Sequence, residues 1–243
     1  MGEGRAVAIN VAANTQLPGV RGPVYPDGRF EYVPIPEREP TRADVDVPTY
    51  ADLELETDLP EELLDRRVHF DPEFPEAGGR RYTYGDEHGV KAGPLSALTP
   101  GDWLLFYATL TTHGEPADWQ PPEWGAYLVG RFRVATVLTG EEYRAASDRE
   151  RQPFRTNAHV KREQFDARVL VLGDPAESAL LERGLPLSAP DAGATANGLV
   201  TDLSSDSGKG PWWRRPLRYD PEAAAELLGT AGEGPAAALR FAP

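Results

Sequence analysis

Apolar residues cluster in short runs separated by proline-, glycine- and acid-rich stretches, a spacing that predicts strands more often than helices. The clearest strand is 103–111 (WLLFYATLT), launched by the turn residues Pro100, Gly101 and Asp102. Trp103, Leu105 and Tyr107 fall on one of its faces, and Leu104, Phe106, Ala108 and Leu110 on the other. A strand apolar on both faces must be covered on both sides. A second long strand is expected at 126–138, where Gly130 predicts a bulge or tight bend. Shorter strands are expected at 5–11, 30–35 and 168–172, with Pro34 and Pro36 holding 30–35 at an edge. Helices are expected at 60–67, 141–147, 175–183 (capped by Asp174, stopped at Gly184) and 220–228 (capped by Asp220). The stretch 191–210 reads as loop. This pattern predicts an α+β fold around a curved mixed sheet or small β-barrel, with a few peripheral helices. It implies one globular domain over 1–228, a long acidic loop at 38–59 and a flexible tail at 229–243.

Composition adds the solvent. The net charge is −14, from 39 acidic and 25 basic residues. Lys91, Lys161 and Lys209 are the only lysines, and the other basic residues are arginines. A GC-rich genome explains the arginine bias but not the acid excess; together they fit a halophile, whose molar salt screens surface repulsion. An ordinary acidic protein is the competing reading. With no cysteine there is no disulfide, zinc-thiolate site or cysteine nucleophile. The N-terminus lacks a signal-peptide pattern and no apolar run reaches membrane-span length, so a cytoplasmic protein without membrane contact is expected.

Phosphate-loop, dinucleotide-binding, nucleophile-elbow and HExxH motifs are missing. The four histidines are far apart and no pair has metal-ligand spacing, so no metal site and no particular cofactor is expected. Four segments carry candidate chemistry. The loop 14–21 (NTQLPGVR), followed by Phe30, Glu31 and Tyr32, can present Asn14 and Arg21 to a ligand, or merely connect strands. The stretch 82–86 (YTYGD) offers Tyr84 for stacking on a base and Asp86 as a carboxylate; a tyrosine packed under a loop competes. The basic stretch 154–162 (FRTNAHVKR) carries Asn157, His159 and Arg162, suited to a base edge, a proton and a phosphate, or else to a solvated salt-bridged loop. The stretch 208–218 (GKGPWWRRPLR) joins Trp212 to Arg215, the composition of a nucleotide contact. It serves equally as a clamp in which one tryptophan fills the core and the arginines meet the chain's own acids.

The ordered motifs INVAANTQLPGVRGPVYPDGRFEYVPIPE (9–37), TYGD (83–86), GDWLLFYATL (101–110), YLVGRF (127–132), NAHVKR (157–162) and VLGDPAESALLERGLPLS (171–188) resemble the nucleotide-modification-associated domain of the third type. The resemblance implies association with systems that modify DNA bases, with nucleic acid or a nucleotide as ligand and other proteins of such a system as partners. The paired strands 101–110 and 127–132 are also similar to those of PUA-like and EVE-like barrels, which bind modified bases or RNA. Three functions follow as expectations. One is a binding module holding a base against Tyr32, Tyr84 or Tyr107, with Asn14, Arg21, Asn157 and His159 as polar contacts and Arg162, Trp212 and Arg215 at the nucleic acid. The second is an enzyme using Glu31, Asp86 or His159 as acid or base. The third is an interaction subunit docking through 38–59.

Overall fold

The computed structural model describes residues 4–243; residues 1–3, part of the N-terminus read for a leader, lie outside them. In chain order the strands are β1 (Ala6–Asn10), β2 (Pro23–Val24), β3 (Ile35–Pro36), β4 (Val68–His69), β5 (Thr83–Asp86), β6 (Trp103–Thr112), β7 (Trp124–Thr139), β8 (Val169–Gly173), β9 (Ala179–Pro186), β10 (Ser188–Ala189), β11 (Ala192–Ala196) and β12 (Leu217–Tyr219). The helices are α1 (Glu61–Leu64), α2 (Gly89–Ser96), α3 (Gly140–Ala145), α4 (Asp148–Arg151), α5 (Ala158–Lys161), α6 (Gly198–Thr201) and α7 (Pro221–Glu233). Eight strands form one mixed sheet in the order β12-β1-β6-β7-β8-β5, with β2 added to β6 and β9 to β7. β1 lies parallel to β6, whereas β7 runs antiparallel to β6, β8 and β9. The architecture is α+β with a large sheet and few helices; no closed barrel is found among the described residues.

The two apolar faces of β6 explain the layering. Leu104, Phe106, Ala108 and Leu110 enter one core cluster, around Phe74 and Phe132. Trp103, Leu105 and Tyr107 enter a second, covered by Ala223, Ala224, Leu227 and Leu228 of α7. β7 is bulged where expected: Gly130 lies opposite Phe106 and Leu128 opposite Tyr107, so Val129 is the extra residue. A side chain at Gly130 would meet the Phe74 ring at 2.5 Å, which is why the crowded aromatic core needs glycine there.

Several local expectations fail for physical reasons. Of 30–35, only Phe30 bridges to Val24 and Ile35 pairs with β4, because the prolines withhold ladder donors. The helix expected at 60–67 is the single turn α1. The helix expected at 175–183 is instead a turn followed by β9: Asp174 accepts Ala176 N–H at 2.8 Å, and the bulged strand β7 supplies the ladder that draws the chain into the sheet. Local capping chemistry fits a turn as well as a helix. The 191–210 stretch holds β11 and α6 rather than loop alone. In 229–243, α7 runs on to Glu233 and a 3-10 helix, Pro235–Phe241, places Ala238 in the second core. The acidic excursion 38–59 is anchored over a third small core of Val33, Tyr50, Leu63, Val68 and Phe70, with Tyr50 Oη donating to Pro34 O at 2.7 Å.

Candidate active site and its buried charge network

A cavity of about 390 Å3 opens between the end of β1, the following loop, β4, β5 and the start of α2. β5 forms its floor, and the TYGD sequence explains why. Tyr84 points its ring into the first core while its hydroxyl donates to Asp86 Oδ2 at 2.9 Å. Gly85 leaves room for the neighbouring chain: a Cβ there would sit 2.7 Å from His159 Cδ2 and 3.1 Å from Asn157 Oδ1. We expect Gly85→Ala to cost about 1–3 kcal/mol by overpacking. It should also shift the His159 ring resonances in NMR; unchanged resonances and stability would contradict the packing.

α2 brings Lys91 to the cavity wall. Its Nζ donates to Asn10 O at 3.0 Å and lies 4.0 Å from Asp86 Oδ2. Burial pushes the Asp86 carboxyl above its ordinary value, against the opposing charge of Lys91. Burial likewise pushes the Lys91 ammonium down, against the charges of Asp86 and Asp71. The two groups are therefore brought towards each other in proton affinity. Asn10 Nδ2, also at the cavity, is buried without a hydrogen-bond partner among the described residues. Ala12, which lines the cavity, is the single non-glycine residue with positive φ among those described, at 67°.

Behind β5 the fold gathers groups that the sequence keeps far apart. Asp71 Oδ1 accepts the Gly85 N–H at 2.8 Å and Asn157 Nδ2 at 3.0 Å. Asp71 Oδ2 faces His159 Nε2 at 3.2 Å and His69 Nε2 at 3.8 Å. The far nitrogens of both rings meet carboxylates: His69 Nδ1 pairs with Glu37 at 2.6 Å and His159 Nδ1 with Asp166 at 2.7 Å. Arg162 ties these together, donating to Glu37 at 3.0 Å and to Glu87 and Asp166 at 2.5 Å each. Burial alone would lower His159, but hydrogen bonds to Asp166 and Asp71 and the Asp71 charge raise it to about 9. Burial alone would raise Glu37, but His69, the Glu39 N–H and Arg162 hold it down at about 2.

The residues singled out by sequence divide accordingly. Asn14, Tyr84, Asp86, His159 and Arg162 line the main cavity, with Asn157 directly behind it. Arg21 lines a smaller adjoining cavity that shares Asn10 and Asn14, its guanidinium 4.5 Å from the Trp124 ring centre. Glu31 lies apart, in a different cavity, accepting from the Tyr25 hydroxyl and from the backbone of Glu56 and Thr57, so it tethers the acidic excursion. Tyr32 packs edge-on against Phe74, and Tyr107 is buried with its hydroxyl on Arg215 O at 2.7 Å. Trp212 fills the second core, and Arg215 grips Asp206 through two 2.8 Å bonds, which is the clamp arrangement rather than an open nucleotide contact. Arg162 lines the cavity with its guanidinium held by Glu37, Glu87 and Asp166. The residues sequence reasoning missed are Asn10, Glu37, His69, Asp71 and Lys91.

With this geometry in place, comparison with protein families gives one result. The nucleotide modification associated domain 3 family matches residues 5–229. The chain belongs to this family. Comparison with curated proteins and with solved structures gives no match. Membership in the nucleotide modification associated domain 3 family links the chain to nucleotide modification, and its matched span takes in every wall of the cavity. Among the described residues no helix is long and apolar enough to cross a membrane.

Proposed function

We propose that this protein is an enzyme of a DNA-modification system that acts on a nucleotide or a nucleic-acid base in the 390 Å3 cavity, with Asp86 and Lys91 moving the proton. The observation that carries the reading is the Asp86–Lys91 pair itself. A carboxylate and an ammonium 4.0 Å apart in a cavity wall, each shifted by burial towards neutral pH, suit proton transfer. Lysine is also rare in this arginine-rich chain. An arginine could not serve, since its guanidinium does not release a proton in proteins. In this reading Asp86 is the base and Lys91 the acid that meets developing negative charge. Asn10 Nδ2 offers a donor to a base edge. Arg38, exposed at the cavity rim, offers charge to a phosphate. A pure reader clasping a base between tyrosines has less support, because Tyr32 and Tyr107 belong to the cores.

The test is turnover, in high potassium salt, of nucleotides and of oligonucleotides with modified and unmodified bases, followed by mass spectrometry. The wild type should convert at least one probe, and Lys91→Met should slow that conversion by about 10²–10⁴-fold while remaining folded. The base must be ionised, so the rate should fall as pH drops through the raised Asp86 value. The acid must be protonated, so the rate should also fall as pH rises through the lowered Lys91 value. A folded Lys91→Met with wild-type rate, or binding without conversion of any probe, sinks the enzyme reading.

A further inference from the structure

We propose that His69, Asp71 and His159 form a binding site for one divalent first-row transition ion of the Mn2+, Fe2+, Co2+ or Zn2+ class, with its remaining coordination positions facing the cavity. One ring nitrogen each of His69 and His159 and an Asp71 oxygen all lie within 4.8 Å of one another, and the Nε2 atoms of the two rings lie 3.8 Å and 3.2 Å from Asp71 Oδ2, close enough for a single ion to bridge them with small side-chain shifts. All three residues line the cavity. Two imidazole nitrogens and one carboxylate oxygen are a donor set suited to such ions and leave positions open for water or substrate.

Three further features fit an ion rather than a passive salt bridge. First, each imidazole turns its Nδ1 to a carboxylate, Glu37 at 2.6 Å and Asp166 at 2.7 Å. With an ion bound, such a carboxylate would keep the proton on Nδ1 while Nε2 gives up its own proton and turns its lone pair to the metal, as outer-shell carboxylates do in known metal centres. Second, Asp71 uses one oxygen to accept Gly85 N–H and Asn157 Nδ2, which leaves Oδ2 directed at the two imidazoles. Third, Glu37, Glu87 and Asp166 surround one guanidinium, that of Arg162, and Asp71 faces the two imidazoles, so four carboxylates meet one arginine. A divalent ion would offset two of the three charges that Arg162 leaves unbalanced. The alternative grouping of Glu87, His159 and Asp166 is excluded, because Arg162 Nη1 already sits at its centre, 2.5 Å from both carboxylates and 3.2 Å from His159 Nδ1.

This site shares the cavity with the proposed acid–base pair but is tested without substrate, so either reading can fail alone. The protein is loaded separately with Mn2+, Fe2+, Co2+ and Zn2+, desalted, and its metal content measured, and the Co2+ absorption spectrum is recorded. One equivalent should be retained, with a Co2+ spectrum showing nitrogen ligation. His69→Ala and His159→Ala should lose that retention, Glu37→Gln should weaken it by about 10–100-fold, and Glu31→Gln should leave it unchanged. If the histidine variants do not fold, paramagnetic shifts of the His69 and His159 ring signals in Co2+-loaded wild type decide the matter. Failure of folded wild type to retain any of the four ions overturns the proposal and leaves the cluster filled by protons. So does retention that survives both histidine substitutions, or ring signals that Co2+ does not move.

Discussion

Arg162→Met is expected to lower the unfolding free energy by about 3–5 kcal/mol, the cost typical of removing one partner from a buried ion pair. The Arg162 side chain is 7% exposed and that of Glu37 is 3% exposed, so water cannot replace the lost guanidinium there. Glu87 and Asp166 are about a third exposed and are partly rehydrated, so most of the cost falls on Glu37. Arg162→Lys should recover only part of the loss, since an ammonium cannot span Glu37, Glu87 and Asp166 as the planar fork does. Adding Glu37→Gln to Arg162→Met should restore stability relative to the single variant, because the stranded charge goes with it. Denaturant titration of the four proteins at neutral pH checks this; a loss below about 1 kcal/mol in Arg162→Met would mean the network is solvated and structurally idle.

The second large effect is expected at Trp212, where Trp212→Ala should cost about 3–5 kcal/mol by opening a cavity in the core. Its ring is fully buried among Leu105, Leu199 and Leu227, and its Nε1 donates to Ala194 O at 2.9 Å. Removal leaves both a void and an unpaired carbonyl. Trp213, half-buried and edge-on to Trp124 at 5.3 Å, should cost much less when replaced. If the tryptophan pair were a nucleic-acid contact, both substitutions would spare stability and weaken ligand binding, and thermal unfolding separates these outcomes.

These two residues also show what the sequence could and could not disclose. The layering around β6 was legible because alternation is local: each side chain's face follows from its neighbour's. The bulge beside Gly130 was legible because a glycine in mid-strand is itself a local signal. The strand β9 was not, because Asp174 and Pro175 carry a helix-start signal and the decisive partner residues in β7 lie about fifty to sixty positions away. The charge network was hidden by distance. His69 and His159 approach to 5.0 Å between ring centres only once β4 and α5 are in place, and no sequence spacing encodes that. The basic character of 154–162 does not describe an open positive patch: Arg162 turns inward to acids, and Asn157 caps α5 while holding Asp71. For Lys91 a signal was present in composition. In a chain that uses arginine almost throughout, a lysine stands out as a side chain that can release its proton where an arginine cannot.

The placement of β1 has a consequence for how the chain is made. Its partners are β6, about a hundred residues downstream, and β12, more than two hundred residues downstream, where Ala6 lies opposite Tyr219. During synthesis β1 therefore emerges before either partner, and more than two hundred further residues must follow before its second neighbour is made. Until then its apolar residues and open backbone edge stand exposed to other nascent chains. Ordering must await loop closures of this length, which makes assembly slow compared with a helical protein of the same size. Until Leu217–Tyr219 has been made, the sheet lacks its β12 edge and one side of β1 stays open to misplaced pairing.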